Sequence, residues 1–228
     1  MPLQRVSVVV PSGEIDGVLH LPEGTAIGGC AVLHGFGGHP EQPHIVATCT
    51  ALADAGIAAL RFAYRNSQPP KMTLDTAFED TAGAVRVLKA HPAIPEMLGV
   101  VGFSFGGTIA AIVAGRDSRM RAAVLAAAPA MAGPNFTAWT NAGKWKPLAE
   151  VTRTRARVLL VWGSRDTQVK IEDAERYRVV LSQARVTNAL VTIDGGDHDF
   201  EPANARAQMT AKVAEWVRES FTDTPKRG

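Results

Sequence analysis

Residues 99–108 read GVVGFSFGGT, a serine held among glycines directly after an apolar run. A serine hydroxyl attacks a carbonyl only when a base removes its proton and donors meet the oxyanion that forms. A sharp strand-to-helix turn serves the geometric half of this, because it lifts the hydroxyl above a sheet and aims the first N–H groups of the helix at the reacting carbon. Gly102 and Gly106 stand where a Cβ would collide as strand and helix pass closely, and Gly107 adds clearance. Ser104 is therefore the candidate nucleophile. The bland alternative is a small residue in a tight turn, and composition alone yields such a G-x-S-x-G about once in fifteen comparable chains. Requiring an apolar strand before it and a helix after it lowers that several-fold.

The base must be a histidine, and six are present. His20, at the end of an early strand, and His91, at a helix C-terminus beside Pro92, read as structural. His39 and His44 lie in the loop and helix start after the third strand and read as rim residues with a minor claim on substrate contact. His198 lies in DGGDHDF, a glycine-rich loop straight after the last strand, from which an imidazole can reach over Ser104. The competing role for His198 is a loop histidine bonded to Asp197 or Asp199. The orienting carboxylate is Asp166 in VLLVWGSRDTQV, three residues past Gly163, although an aspartate after a strand often serves only as a turn or cap. Asp173 and Asp194 are weaker candidates. In LHGFGGHP, residues 33–40, the backbone N–H of Phe36 can join that of Phe105 as a two-donor oxyanion hole, with His34 shaping the loop and not acting as a base.

These groups need a scaffold that gathers strand ends. RVSVVV and EIDGVLHL, parted by PSG, read as an opening antiparallel pair. Apolar runs then alternate with amphipathic ones: strands at 28–35, 57–64, 97–103, 121–129, 157–163 and 188–194, and helices at 44–56, 73–91, from Ser104 onward, near 170–184 and near 204–220. Thr73 opens the second helix and Pro92 follows its end. Strands apolar enough to be covered on both faces mean a mostly parallel sheet in three α/β layers, with helices on both sides. In such a sheet ligands bind beyond the carboxyl ends of the strands, where Ser104 falls. The chain reads as one domain over 1–228. The irregular stretch 129–155 is too short for a cap domain.

With 46% hydrophobic and 20% charged residues the composition is that of an ordinary globular protein. Cys30 and Cys49 read as buried, reduced thiols, and the start lacks the features of a signal peptide, so a cytoplasmic protein is the expectation. No apolar run reaches the length of a membrane span. The 24 basic and 22 acidic residues are well mixed, and TRTRAR, at 152–157, has no interleaved aromatics, which argues against nucleic-acid binding. Met131, Phe136, Trp139 and Trp145 are large apolar groups that either line a substrate pocket, with Trp139 and Trp145 as its walls, or cover the sheet edge. Tyr64 and Arg65 read as packing ahead of substrate contact.

Taken together, HGFGG, GFSFGG, GSRD and GGDHDF, in this order, resemble the α/β-hydrolase superfamily over essentially the whole chain. The small size and missing cap resemble its dienelactone hydrolase-like and small carboxylesterase branches. The resemblance implies an eight-stranded sheet, a triad of Ser104, His198 and Asp166, and no metal or organic cofactor. Dienelactone hydrolases proper carry cysteine in the elbow, so the serine here favours ordinary ester hydrolysis through an acyl-enzyme, on short-chain or aryl esters. Thioesterase or peptidase use of the same triad, and a ligand-binding protein with little turnover, are the alternatives. A small-molecule ester is the expected partner, and a homodimer is left open.

Overall fold

The computed structural model describes residues 2–67, 72–130 and 145–223. Along the chain the elements are β1 (Leu3–Val10), β2 (Gly13–His20), β3 (Gly28–Leu33), α1 (Pro43–Asp54), β4 (Ile57–Phe62), α2 (Leu74–Ala90), β5 (Leu98–Phe103), α3 (Phe105–Arg116), β6 (Met120–Ala126), α4 (Pro147–Val151), β7 (Arg157–Gly163), α5 (Ile171–Gln183), β8 (Asn188–Ile193) and α6 (Ala203–Thr222). The strands make one eight-stranded sheet in the order β1-β2-β4-β3-β5-β6-β7-β8. Strand β2 pairs antiparallel with both β1 and β4, and the six strands β4, β3, β5, β6, β7 and β8 pair in parallel. The carboxyl ends of β3, β5, β7 and β8 therefore share one edge.

The strand sequences explain the layering. In β3 and β5 every residue is buried, as expected of strands covered on both faces. Side chains alternate between the faces: Cys30 and Val32 join the cluster beneath α1 and α6, whereas Ala31 and Leu33 join the larger one beneath α2, α3 and α5. Helix α3 is buried from Phe105 through Ala114, so it is apolar all round and forms the core of its layer. Helix α2 starts at a reciprocal cap in which the Thr73 side chain accepts from the Thr76 backbone N–H, as the sequence predicts from Thr73. Cys30 and Cys49 are free and buried, and burial pushes both thiols well above their ordinary range.

Two boundaries differ from the sequence reading. Strand β4 ends at Phe62, because the Ala63 N–H turns to the Asp16 carbonyl and the Tyr64 N–H to the ring of His34. The stretch expected to be irregular from 129 to 155 contains the short helix α4, begun by Pro147, which suits the first helical turn. Val151 is fully buried there, and a Cβ on Gly115 of α3 would run into the Glu150 carbonyl, so the two backbones touch. Met131, Phe136 and Trp139 lie outside the described residues.

Candidate active site

Ser104 caps the N-terminus of α3 with φ 53° and ψ −119°. A non-glycine residue in such a conformation costs about 1–3 kcal/mol and persists only where its surroundings enforce it. Here the Ser104 N–H donates to the Ala126 carbonyl at 2.8 Å, and its own carbonyl accepts from Gly107 and Thr108. The flanking glycines are sterically required. A Cβ on Gly102 would strike the Gly106 carbonyl, one on Gly106 would sit 2.5 Å from the Leu33 carbonyl oxygen, and one on Gly107 would meet the Ala128 methyl at 2.6 Å.

Opposite the turn lies the β3–α1 loop. A Cβ built on Gly35 would be 3.4 Å from Ser104 Cβ, so this loop runs directly against the serine. His34 is fully buried, donates from Nδ1 to the Gly35 carbonyl at 2.8 Å, and accepts at Nε2 from the Tyr64 N–H. Burial holds His34 well below an ordinary histidine, at a pKa of about 4, so it stays neutral and props the loop. The rings of Phe36 and Phe105 sit 5.8 Å apart, which brings together the two residues expected to supply oxyanion donors.

Asp166 and His198 come from the ends of β7 and β8 and meet: His198 Nδ1 donates to Asp166 Oδ2 at 2.8 Å. The other carboxylate oxygen, Oδ1, accepts from the backbone N–H groups of Gln168 and Val169 at 2.8 and 2.9 Å. Both side chains are sheltered, 1% exposed for Asp166 and 10% for His198. A close backbone approach makes this pairing possible, because a Cβ on Gly163 would strike the Gly196 carbonyl, which accepts from the Arg165 N–H at 2.8 Å. The alternative carboxylates are engaged elsewhere: Asp173 pairs with Arg176, Asp194 accepts from Ser164, and Asp197 accepts from the Glu201 N–H.

The His198 loop is tied to the serine strand by an aromatic contact that the sequence reading misses. Phe200 is fully buried and packs edge-on against Phe103, the residue before Ser104, at 6.4 Å between ring centroids. His44 leans on the same Phe103 ring at 4.8 Å. It is 3% exposed, so the expectation of a rim residue is corrected. Burial first, and the neighbouring His198 charge second, hold its pKa at about 4. His39, by contrast, is exposed.

Trp145 is also corrected. Its indole N–H donates to Asp75 at 3.0 Å, and Arg116 and Phe78 cover its ring. At 7% exposure it has little surface to offer a substrate, and it packs on the flank between α2 and the last turn of α3. Tyr64 is buried against His34, Phe62 and Phe105, and Arg65 pairs with Asp80 and Glu79, so both serve packing. Among the described residues no group of three His, Cys, Asp or Glu side chains could hold a metal ion, and no helix is long and apolar enough to cross a membrane.

An eight-stranded, mostly parallel sheet with a serine elbow and an acid and a histidine on neighbouring strand ends defines the α/β-hydrolase fold. Within that class the sequence profile of the dienelactone hydrolase family matches residues 15–227, and the chain belongs to that family. It is similar to a Synechocystis sp. protein named "Putative carboxymethylenebutenolidase", 23% identical over 130 residues that cover 56% of this chain and 50% of that protein. The chain thus spans half the length of this curated relative. Among solved structures, Est1E from Butyrivibrio proteoclasticus superimposes with a TM-score of 0.81 at 20% identity, covering 96% of this chain and 99% of that one. Dienelactone hydrolase from Anabaena variabilis superimposes with a TM-score of 0.75 at 21% identity, covering 94% and 96%.

Proposed function

We propose that this chain is a serine carboxylesterase-type hydrolase acting on short-chain or aryl esters through an acyl-enzyme. Ser104 attacks the ester carbonyl while His198 Nε2 takes its proton, the alcohol leaves with a proton returned by His198, and a water activated by the same imidazole releases the acid. Asp166 holds His198 with Nδ1 protonated, which leaves Nε2 free to act as base. The backbone N–H groups of Phe36 and Phe105 stabilise the oxyanion.

The observation that carries this reading is the His198–Asp166 hydrogen bond at 2.8 Å, with the second carboxylate oxygen held by two backbone N–H groups. An aspartate used only as a turn cap would not also need to orient an imidazole. Family membership and the strained conformation of Ser104 point the same way.

The test is turnover of p-nitrophenyl acetate, butyrate and a longer ester beside an acyl thioester of matched chain length, with wild type and Ser104→Ala. Faster hydrolysis of the short oxygen esters, lost in the variant, supports the proposal. Preference for the thioester, or turnover that survives in Ser104→Ala, contradicts it.

A further inference from the structure

Strand β4 reads IAALRF and is buried throughout, yet its fifth residue is an arginine. The Arg61 side chain is only 6% exposed. Its Nε donates to His20 Nε2 at 2.9 Å, and Nη1 donates to the Pro40 carbonyl at 3.2 Å and to the Glu41 carboxylate. Burial and the adjacent guanidinium keep His20 neutral, and its Nδ1 is buried with no hydrogen-bond partner among the described residues.

A charge placed in this way is a poor means of stabilising a fold. Desolvating a guanidinium offsets most of what its ion pair returns, and an apolar side chain of similar volume serves a core at least as well. The orphaned ring nitrogen of His20 adds to the cost. What the arrangement does supply is direction. A planar fork with several donors fixes the groups it touches more closely than packing does.

Those groups belong to the β3–α1 loop, the segment whose first half lies against Ser104. The Gln42 side chain does not cap α1; it folds back onto the His39 N–H instead. Among the described residues, Arg61 is the only side chain from outside the loop that hydrogen-bonds to its 37–42 half. The 34–36 half is held separately by His34 and Tyr64. Between the two anchors lie Gly37, with φ +68°, and Gly38, whose N–H donates to the Gly35 carbonyl at 3.1 Å and whose Cβ would run into the Gln42 side chain, so a shift of the 37–42 half is passed through this turn to the 34–36 half.

We propose that Arg61 is a positioning residue for acyl transfer: from beneath the loop it holds Pro40 and Glu41 so that the Phe36 N–H stays aimed at the developing oxyanion. This rests on the reading of Ser104 and Phe36 given above. The effect falls on the transition state and not on substrate capture, because an oxyanion donor that drifts weakens the tetrahedral species more than the bound ester.

The experiment compares wild type, Arg61→Met, Arg61→Lys and Glu41→Gln for kcat and KM on p-nitrophenyl butyrate, for melting temperature, and for affinity toward a trifluoromethyl ketone, which binds as a tetrahedral adduct of the nucleophile. Arg61→Met is expected to lower kcat about tenfold or more, against the roughly 100- to 1,000-fold of losing a donor outright. KM should move little, and ketone affinity should fall by the same factor as kcat/KM. Arg61→Lys should recover part of the loss, and Glu41→Gln should show a smaller loss of the same kind. If Arg61→Met does not fold, Glu41→Gln decides, since that side chain is 62% exposed and its change does not threaten folding. Unchanged kcat and ketone affinity in the folded variants, with only the melting temperature altered, would overturn the positioning role while leaving the hydrolase reading intact. A wild-type protein that neither turns over esters nor binds the ketone would sink both.

Discussion

Phe200, two residues beyond His198, packs edge-on against Phe103, the residue immediately before Ser104, with ring centroids 6.4 Å apart. The contact joins two segments far apart in sequence, the loop that carries the imidazole and the turn that carries the hydroxyl. Phe200 adopts φ 51° to make it, and Arg206 holds the carbonyls of Phe200 and Glu201. Truncating the ring in Phe200→Ala should cost about 3–5 kcal/mol of stability. It should also lower kcat in the fraction that remains folded. Urea unfolding paired with active-site-normalised kinetics checks both, and a destabilised variant with full kcat would show that the ring does not position His198.

Asp166→Asn separates orientation from packing. The amide oxygen can still accept from the Gln168 and Val169 N–H groups, so the fold should survive. Its NH2 would face His198 Nδ1 and favour the tautomer protonated at Nε2, which cannot accept the serine proton. Loss of kcat by about 10,000-fold is expected, as when the carboxylate of such a triad is neutralised. A loss below about tenfold with unchanged circular dichroism would remove Asp166 from the triad.

Gly106→Ala tests the steric basis of the turn. The new methyl would lie 2.5 Å from the Leu33 carbonyl oxygen and 2.6 Å from that of His34, both backbone atoms that cannot swing aside. Destabilisation of about 3 kcal/mol or more is expected, with activity lost. A thermal melt superimposable on wild type would contradict the close approach of the β3 end to the start of α3.

Acid should weaken the fold through its buried histidines. His34 and His44 have folded pKa values lowered from 6.5 to about 4, chiefly by burial. Between those values the unfolded chain takes up protons that the folded chain refuses, so stability is complete above about pH 6.5 and drains as the pH falls toward 4. Each histidine contributes a slope of up to about 1.4 kcal/mol per pH unit in that window. Urea midpoints measured at neutral pH and at two points inside the window should decline accordingly, and His44→Gln should decline less steeply. Parallel curves for the two proteins would exclude a buried neutral His44.

Much of the candidate site is legible in the sequence because each candidate follows a short apolar strand, and parallel strands must end on one edge. Flanking glycines mark Ser104, whereas the backbone contact of Gly163 with Gly196 beside Asp166 and His198 shows only in the structure. Thr73 marks the start of α2 because a cap is a local interaction. The failures are of the opposite kind. His44 reads as a rim residue because nothing near it in sequence reveals Phe103 lying beneath its ring. Arg61 sits unremarked in an apolar run, since its burial depends on Glu41 and His20, 20 and 41 residues away. Trp145 looks like a pocket wall until Asp75 and Arg116, both distant in sequence, claim its indole N–H and its ring face.

The nucleophile itself is put to the test by covalent labelling with a fluorophosphonate, read by intact mass and peptide mapping. One equivalent of label on Ser104, absent from Ser104→Ala and strongly slowed in His198→Ala, is the predicted result. Label on any other residue, or none under conditions in which the wild type hydrolyses esters, would contradict a nucleophilic Ser104.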